Sequence, residues 1–476
     1  MKKTLFIASC YGFVLCLIGA VLALYQATAP GAPTFDLLSR KGIVIAGTFS
    51  GVLLSFLAAV WSLRGLDANE CRRAVQSVVL QAIMLVLVAG TLEIALRVLA
   101  LETPGATFIG PRLLHPRIWP VVAERQMAAV KEAATADSFQ VGDPFLGWTL
   151  GNSRQSRNGL YRSSAEGLRS AEVGAQYAGS AAPVRVALLG DSFVFGEEVP
   201  FAETMGAALQ LSLGSQVQVL NFGVPGYGVD QMVLRYDKDV RTWSRPGDVV
   251  VLGFIEDDME RSMLVYPVIG RPHWLTPWSK PHFVVEGSHL AIKNQPTAGP
   301  EQVFGAPSIE ALPLVKDDAA YCACEWDRPG WGVLYRSYVM RFVLSFLPQY
   351  RYDRPATLFT TRMAVHEKLF QRFDARVRAD GAVPVIVILP TAASYDAADT
   401  PMPLPESKRV LTQAGVPFLD LTTCLKQVPP AERYVRGAEG HYSKRGNEAI
   451  AACLLQTLTP LIEQHGKALG VAKTPL

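Results

Sequence analysis

Two distant stretches of the sequence contain residue types that can carry out acyl-transfer chemistry. Residues 186–193 form an apolar run that ends in Gly-Asp-Ser-Phe, which would present the Ser192 hydroxyl at the end of a strand. Far downstream, His441 follows Glu439 by two residues. A serine hydroxyl is a poor nucleophile until a base takes its proton, and a third group must orient that base. If the fold brings the two stretches together, we expect Ser192, His441 and Glu439 to form a catalytic triad.

Each of these residues also has a simpler interpretation. Gly-Asp-Ser after a strand is a common turn, and Ser192 could cap a helix. His441 precedes a predicted helix at 443–464 and could be a capping or surface residue. The triad is therefore favoured by the combination of elements and by none of them alone.

Acyl transfer also needs hydrogen-bond donors aimed at the negatively charged oxygen of the tetrahedral intermediate. The backbone N–H of Ser192, at a predicted loop-to-helix boundary, is one candidate. The glycine-rich segment 221–228 is a second, because glycines allow the backbone to approach a ligand closely. A plain turn after a strand uses the same residues, so this segment is weak evidence by itself.

The elements that must position these residues alternate regularly along the chain. Apolar runs predict strands at 184–189, 217–221, 248–255, 383–389 and 416–421, and helical patterns lie between and after them. Five strands alternating with helices predict an α/β fold with a doubly wound parallel sheet. In such sheets, sites lie at the carboxyl ends of the strands, which is where Ser192, Gly226 and Asp257 fall.

These motifs together resemble the SGNH (GDSL) hydrolase superfamily, in its bacterial membrane-anchored form, over residues 184–465. The segment 190–193 matches the first block with its nucleophilic serine, and the segment at 221–228 resembles the second, where Gly226 would give an oxyanion N–H. The resemblance implies a flavodoxin-like five-stranded sheet and esterase or acyltransferase activity without a metal or cofactor.

Two positions depart from the pattern of that superfamily. The last block normally carries Asp before the catalytic His, and this chain has Glu439. The third block normally carries an Asn that donates a hydrogen bond to the oxyanion, and this chain has Asp257 there. An ionised carboxylate cannot donate, so Asp257 would complete the oxyanion hole of Ser192 and Gly226 only if it were protonated.

The first hundred residues contain three apolar runs, at about 5–25, 43–63 and 75–99, each of the length that spans a bilayer. Basic residues beside the runs place the N-terminus inside, and three spans leave everything after residue 100 outside the cytoplasm. The first run could instead be a signal peptide, and the outcome for the C-terminal part is the same. We expect a multi-pass inner-membrane protein with a periplasmic or extracellular C-terminal domain.

This organisation predicts an anchor at 1–101, a linker and lead-in at 102–183, and a hydrolase-like domain at 184–470. An insert rich in Pro, Gly and Trp interrupts that domain at about 262–345. Trp274 and Trp278 in the insert could stack on sugar rings or pack the insert onto the sheet. Cys424 and Cys453 could meet in a disulfide, or remain two buried thiols.

The leading hypothesis is a serine esterase, deacylase or O-acyltransferase that acts on a small acyl ester of an envelope glycan or lipid. The alternative is an inactive relative that binds a glycan or a membrane acyltransferase partner, because the third block is altered. A net charge of +3 without a dense basic stripe gives no support to nucleic-acid binding. No Cys or His cluster has the spacing of metal ligands.

Overall fold

The structure is a computed structural model that describes most of the chain. The described residues are 2–27, 40–64, 67–134, 138–178, 182–350, 356–395, 405–437 and 440–468. Glu439 therefore lies outside the described residues.

The helices and strands are numbered in chain order. The α-helices are α1 (Lys2–Ala27), α2 (Arg40–Leu63), α3 (Ala68–Leu99), α4 (Trp119–Ala134), α5 (Ser192–Phe195), α6 (Met205–Leu213), α7 (Val229–Lys238), α8 (Glu256–Arg261), α9 (Pro267–Gly270), α10 (Pro300–Phe304), α11 (Gly332–Tyr335), α12 (Tyr338–Leu344), α13 (Ala356–Ala379), α14 (Pro405–Ala414), α15 (Pro430–Arg433) and α16 (Lys444–Ala468). The strands are β1 (Ala100–Glu102), β2 (Thr107–Ile109), β3 (Arg112–Leu113), β4 (Gln140–Asp143), β5 (Gly147–Leu150), β6 (Arg162–Ser163), β7 (Arg169–Ser170), β8 (Val184–Gly190), β9 (Val217–Asn221), β10 (Val249–Phe254), β11 (His282–Glu286), β12 (His289–Lys293), β13 (Val383–Ile388) and β14 (Phe418–Asp420).

The central sheet has the order β14-β13-β10-β8-β9-β7-β6. Its first five strands are parallel and match the five predicted strands to within two residues at each end. The α/β prediction is therefore confirmed, but the sheet is larger than the five strands expected. Two short strands from the lead-in, β7 and β6, extend it at the β9 edge in antiparallel orientation.

Helices cover both faces of this sheet, which is why its central strands are apolar on both sides. In β8, Ala187 and Leu189 pack into one core with α7, α13 and α14, whereas Val186 and Leu188 pack into a second core with α6 and α16. Successive side chains of a strand point to opposite faces, so a continuous apolar run serves both cores.

The chain divides into two compact units. One contains residues 1–119 and 322–352, and the other contains residues 120–321 and 353–476. Most of the lead-in folds with the hydrolase-like part, and the later portion of the insert folds with the N-terminal helices.

Helices occupy all three N-terminal apolar runs. Among the described residues, one of them, Ala68–Leu99, is long and apolar enough to cross a membrane by length and composition. The other two have shorter apolar parts, at Thr4–Ala20 and Ala46–Ser62. Of the three expected membrane spans, one is therefore supported by the length and composition of its helix.

Within the first unit, Glu93 of α3 organises the segment that begins at α12. Its carboxylate forms an ion pair with Arg97 at 2.7 Å and accepts hydrogen bonds from the backbone N–H groups of Tyr338 and Val339, at 2.9 and 3.0 Å. The first N–H groups of a helix lack intrahelical partners, and a carboxylate satisfies them well. Glu93 thus joins the end of α3 to a distant part of the insert.

Two disulfides are present. One joins Cys424 and Cys453, in the second unit. The other joins Cys322 and Cys324, which are two positions apart in the sequence.

Candidate active site

Ser192 lies where β8 ends and the one-turn helix α5 begins. A Cβ atom at Gly190 would lie 2.7 Å from the carbonyl oxygen of Gly253, so the close packing of β8 against β10 requires glycine there. Asp191 caps α5 by accepting a hydrogen bond from the N–H of Phe193 at 2.9 Å. The strand and the cap together hold Ser192 at the carboxyl edge of the sheet.

The structure brings Ser192 and His441 into contact across 249 residues of sequence. The Ser192 Oγ lies 2.8 Å from Nε2 of His441 and makes a longer contact of 3.4 Å with Oδ2 of Asp191. The imidazole packs against the Phe193 ring, with 4.9 Å between ring centroids. The hydroxyl is therefore within reach of a base that could accept its proton.

Glu198 occupies the other side of the imidazole. Its Oε2 lies 3.1 Å from Nδ1 of His441 and accepts a hydrogen bond of 2.7 Å from the His441 backbone N–H. A carboxylate only accepts, so Nδ1 carries the proton and Nε2 is free to act as the base. Sequence reasoning assigned this orienting role to Glu439, which lies outside the described residues, and missed Glu198.

The surroundings of Glu198 favour its ionised form. Burial acts to raise its pKa, but the hydrogen bonds from the backbone and ring of His441 and the positive charge of Arg436 outweigh burial and hold the pKa below its ordinary value. Glu198 also has a φ of 72°, which is uncommon for a residue other than glycine. The Glu198 carboxylate is thus held in place by its backbone conformation, by the N–H and Nδ1 of His441, and by Arg436.

Glu197 is a second carboxyl group at the dyad that sequence reasoning missed. Its Oε2 lies 3.5 Å from Nε2 of His441, the same nitrogen that faces Ser192. Burial is the main cause that raises the pKa of Glu197, and the neighbouring carboxylates Asp191 and Glu198 raise it further, against the charges of His441 and Arg261.

The sequence did contain a signal for both glutamates. The helix α5 is one turn long, and the backbone N–H groups of Gly196 and Glu197 both bond to the Ser192 carbonyl at 3.0 Å. The left-handed Gly196 ends this helix after one turn, and the two N–H groups that follow the helix turn back to the carbonyl of its first residue. Two consecutive glutamates five and six positions after a proposed nucleophile are therefore candidates for the site.

The two backbone donors predicted for an oxyanion lie at a buried helix start and in a partly exposed turn. Ser192 is the first residue of α5, and the first N–H groups of a helix have no intrahelical acceptor. Gly226 has a φ of 83°, in the left-handed region that favours glycine. A Cβ there would meet Trp148 and Trp274 only at ordinary contact distances, so the backbone conformation rather than space requires glycine.

Asp257 is bound by two arginine side chains. Its Oδ2 forms an ion pair of 3.0 Å with Arg261, and its Oδ1 pairs with Arg271. Both carboxyl oxygens are therefore in contact with guanidinium groups of α8 and of the insert. The role of Asp257 as an oxyanion donor stays a prediction.

Arg261 lies at the centre of a charged group that we call the arginine cluster: Asp191, Asp257, Asp258, Arg261 and Arg271. Besides Asp257, the Arg261 guanidinium contacts Oδ2 of Asp191 at 3.1 Å and Oδ1 of Asp258 at 2.8 Å, and both of these aspartates are fully buried. Burial opposes the charge of Arg261, but the three carboxylates raise its pKa above the ordinary value and keep it charged.

The tryptophans of the insert pack onto this region. Trp274 lies under the guanidinium groups of Arg261 and Arg271, at 5.1 and 5.5 Å from its ring centroid. Trp278 stacks on Trp148 with 6.4 Å between centroids. These contacts attach the insert to α8 and to β5.

Within the described part of the chain, no group of three or more His, Cys, Asp or Glu side chains is arranged to hold a metal ion. The groups that the site does contain are a serine hydroxyl, an imidazole, carboxyl groups and backbone donors.

Comparison with known proteins yields structural neighbours only. No protein-family model matches the chain, and no curated protein matches it. Among solved structures, it is similar to a member of the lipolytic G-D-S-L family from Veillonella parvula DSM 2008, with 12% identity over 58% of this chain and 98% of that chain, and a TM-score of 0.29.

Two further neighbours are hydrolases. The chain is similar to the lipase/acylhydrolase from Enterococcus faecalis, with 11% identity over 58% of this chain and 95% of that chain, and a TM-score of 0.29. It is also similar to a mutant of Axe2, an acetyl-xylooligosaccharide esterase from Geobacillus Stearmophilus, with 11% identity over 58% and 94% of the two chains and a TM-score of 0.28. At these values the likeness carries no weight for function, which has to be argued from the site.

Proposed function

We propose that this protein is a serine-dependent ester hydrolase with a triad of Ser192, His441 and Glu198. The observation that carries the proposal is the chain of contacts through the imidazole, 2.8 Å from Nε2 to the Ser192 hydroxyl and 3.1 Å from Nδ1 to the Glu198 carboxylate. A serine, a histidine and a carboxylate in this order form the arrangement that activates a hydroxyl for acyl transfer.

In the first half of the reaction, the Ser192 Oγ attacks the carbonyl carbon of the ester while Nε2 of His441 takes the hydroxyl proton. The carbonyl oxygen becomes an oxyanion, which the backbone N–H groups of Ser192 and Gly226 stabilise by hydrogen bonding. The bond between the carbonyl carbon and the alcohol oxygen then breaks, and the imidazolium gives its proton to the departing alcohol. An acyl group remains bound to Ser192.

In the second half, water attacks the acyl carbon while His441 takes one of its protons. The bond from that carbon to the Ser192 Oγ breaks, His441 returns the proton to the serine, and a carboxylic acid leaves. An acceptor alcohol in place of the water would give a transferred ester, so the same residues would serve an O-acyltransferase. Glu198 stabilises the imidazolium in both halves.

We place this chemistry on the extracytoplasmic side of a membrane. The support is the apolar helix Ala68–Leu99 together with the basic residues Lys2, Lys3, Arg64, Arg72 and Arg73, which favour an inside location for the N-terminus and for the loop before α3. An ester of an envelope glycan or lipid is the substrate class that this location offers.

Turnover of p-nitrophenyl acetate by the full-length chain in lipid nanodiscs tests the proposal. We expect Ser192→Ala to lower kcat by about 10⁴-fold or more, because removal of the nucleophile disables the whole triad. Ser212→Ala is the matched control, since the Ser212 hydroxyl on α6 only bonds to the carbonyl of Ala208. Equal turnover by wild type and Ser192→Ala would contradict the proposal.

A further inference from the structure

A cavity of about 660 Å³ lies beside the proposed dyad, within the second unit. Its walls come from the end of α4 and β4, from the loop before β6, and from the insert between α9 and α10. Phe195, Glu197 and Pro225 close it on the side of the active site. Because Glu197 contacts His441 and Pro225 precedes Gly226, the cavity meets the elements that surround the reacting ester. Its volume is within the range of sites that hold a small organic ligand.

Aromatic rings form much of the wall. Phe139, Tyr161 and Phe195 pack against one another with centroid distances of 5.0–6.1 Å. Trp278 adds a fourth ring, which is fixed by stacking on Trp148. Rings that already pack edge to face on one another offer an apolar surface of fixed shape, which suits an apolar ligand group.

The polar side chains of the wall are mostly bonded within the protein. Ser138 donates to the carbonyl of Gln140, whose own amide donates to the carbonyl of Pro225. Ser156 donates to the side chain of Asn158. A sugar would require free donors and acceptors aimed at its hydroxyl groups, whereas these donors are already used.

Apart from Glu197, the charged side chains of the wall lie at its rim, away from the position proposed for a hydrocarbon group. Glu132 and Arg157 pair with each other at 3.3 Å and are largely exposed, which places them at the rim. Glu197 lies next to the dyad, and its burial raises its pKa toward the neutral form, which is compatible with an apolar neighbour.

We propose that this cavity binds the hydrocarbon chain of a medium- to long-chain acyl ester, so that the substrate is a fatty acyl ester rather than an acetylated glycan. This inference rests on the proposed ester hydrolysis, for which it names the substrate class. The chain would lie between the aromatic wall and the insert, with its ester group at Ser192.

Kinetics with two esters test the inference in the full-length chain in nanodiscs. We expect kcat/KM for p-nitrophenyl octanoate to exceed that for the acetate by about 30-fold or more, because each buried methylene favours binding. Val130→Phe, which places a ring in the cavity, should bring that ratio close to 1. Val173→Phe, at a partly exposed valine outside the cavity wall, is the matched control and should keep the wild-type ratio.

The outcomes separate the two proposals. A ratio near 1 in wild type, with Ser192-dependent turnover of the acetate, overturns the hydrocarbon site and leaves the esterase intact. Unchanged ratios in Val130→Phe also overturn it.

A binding measurement does not depend on turnover. In Ser192→Ala, bromine-labelled octanoic acid should quench a component of tryptophan emission that is absent from the double variant Ser192→Ala, Trp278→Phe. Equal quenching in the two proteins overturns the inference whether or not the protein is an esterase. A Trp278-dependent component, in a wild-type protein that turns over neither ester, would support the site and contradict the esterase.

Discussion

The carboxyl groups on the two sides of Ser192 have different partners. On one side, which we call the base side, Glu197 and Glu198 face a single imidazole that can gain and lose a proton. On the other side, the carboxylates of the arginine cluster are bound to Arg261 and Arg271. The base side contains a group that can take up and release a proton, whereas every carboxyl group of the arginine cluster contacts an arginine.

Because of this difference, we expect one side to determine the reaction rate and the other to determine the stability of the fold. A proton moving to His441 changes the charge beside Glu198, so we expect substitutions on the base side to affect the rate more than the fold. Arg261 is the guanidinium partner of two fully buried aspartates, so we expect its removal to affect the fold first.

The largest expected effect is that of Glu198→Gln. The amide preserves size but cannot stabilise the imidazolium, and it can favour the wrong tautomer of His441, so kcat should fall by about 10²–10⁴-fold. Steady-state kinetics with p-nitrophenyl acetate measure this loss. Glu439→Gln is the control and should stay within about threefold of wild type. A large loss in Glu439→Gln with none in Glu198→Gln would return the orienting role to the residue predicted from sequence.

Arg261→Met should have the next largest effect, and on stability. It would leave the buried carboxylates of Asp191 and Asp258 without their counter-charge, which costs about 3–5 kcal/mol. Thermal melting of the protein in nanodiscs measures the loss as a large drop in Tm. Arg241→Met, which removes a half-exposed pair with Asp380, is the control and should shift the Tm little. Equal shifts would contradict the role given to the cluster.

Asp257→Asn tests whether the altered third block limits the rate. Because both oxygens of Asp257 contact arginines, an amide there should not reach the oxyanion, and kcat should change by less than about threefold. A gained oxyanion donor would instead raise kcat by about 10²–10³-fold. Such a gain would show that the side chain reaches the reacting oxygen and that the two sides of Ser192 are less distinct than described.

The smallest expected effect is the pH dependence of the Glu198 contact. The folded-state pKa of Glu198 lies below its ordinary value, so its ionised carboxylate stabilises the fold above the unfolded pKa, and this contribution is lost as the pH falls through the folded pKa. The Tm difference between wild type and Glu198→Gln should be largest near pH 7 and shrink under acidic conditions. A difference that grows on acidification would contradict the assignment.

Sequence patterns predicted the sheet well because its strands are continuous apolar runs between turn residues. They also predicted that Ser192 lies at the carboxyl edge of a parallel sheet. The pairing of Ser192 with His441 was predicted only from the combination of motifs. The orienting acid could not be found in the same way. Glu198 reaches His441 through a one-turn helix and a left-handed backbone conformation, and neither leaves a periodic pattern.

The contacts of Asp257 and the placement of the insert could not be predicted from the sequence for a different reason. The partners of Asp257 are Arg261, one helical turn away, and Arg271, which only the local path of the chain after α8 brings close. Similarly, no pattern showed that residues 322–352 fold with the N-terminal helices, because that depends on the hydrogen bonds between Glu93 and the start of α12.

The most direct test of the triad is covalent labelling by a fluorophosphonate, read by peptide mass spectrometry on the full-length protein. The account predicts modification of Ser192 in wild type, much slower modification in Glu198→Gln and His441→Ala, and wild-type labelling in Glu439→Gln. Two results would contradict the claim that this serine is an activated nucleophile. One is folded wild-type protein that remains unlabelled at Ser192, and the other is labelling of His441→Ala as fast as that of wild type.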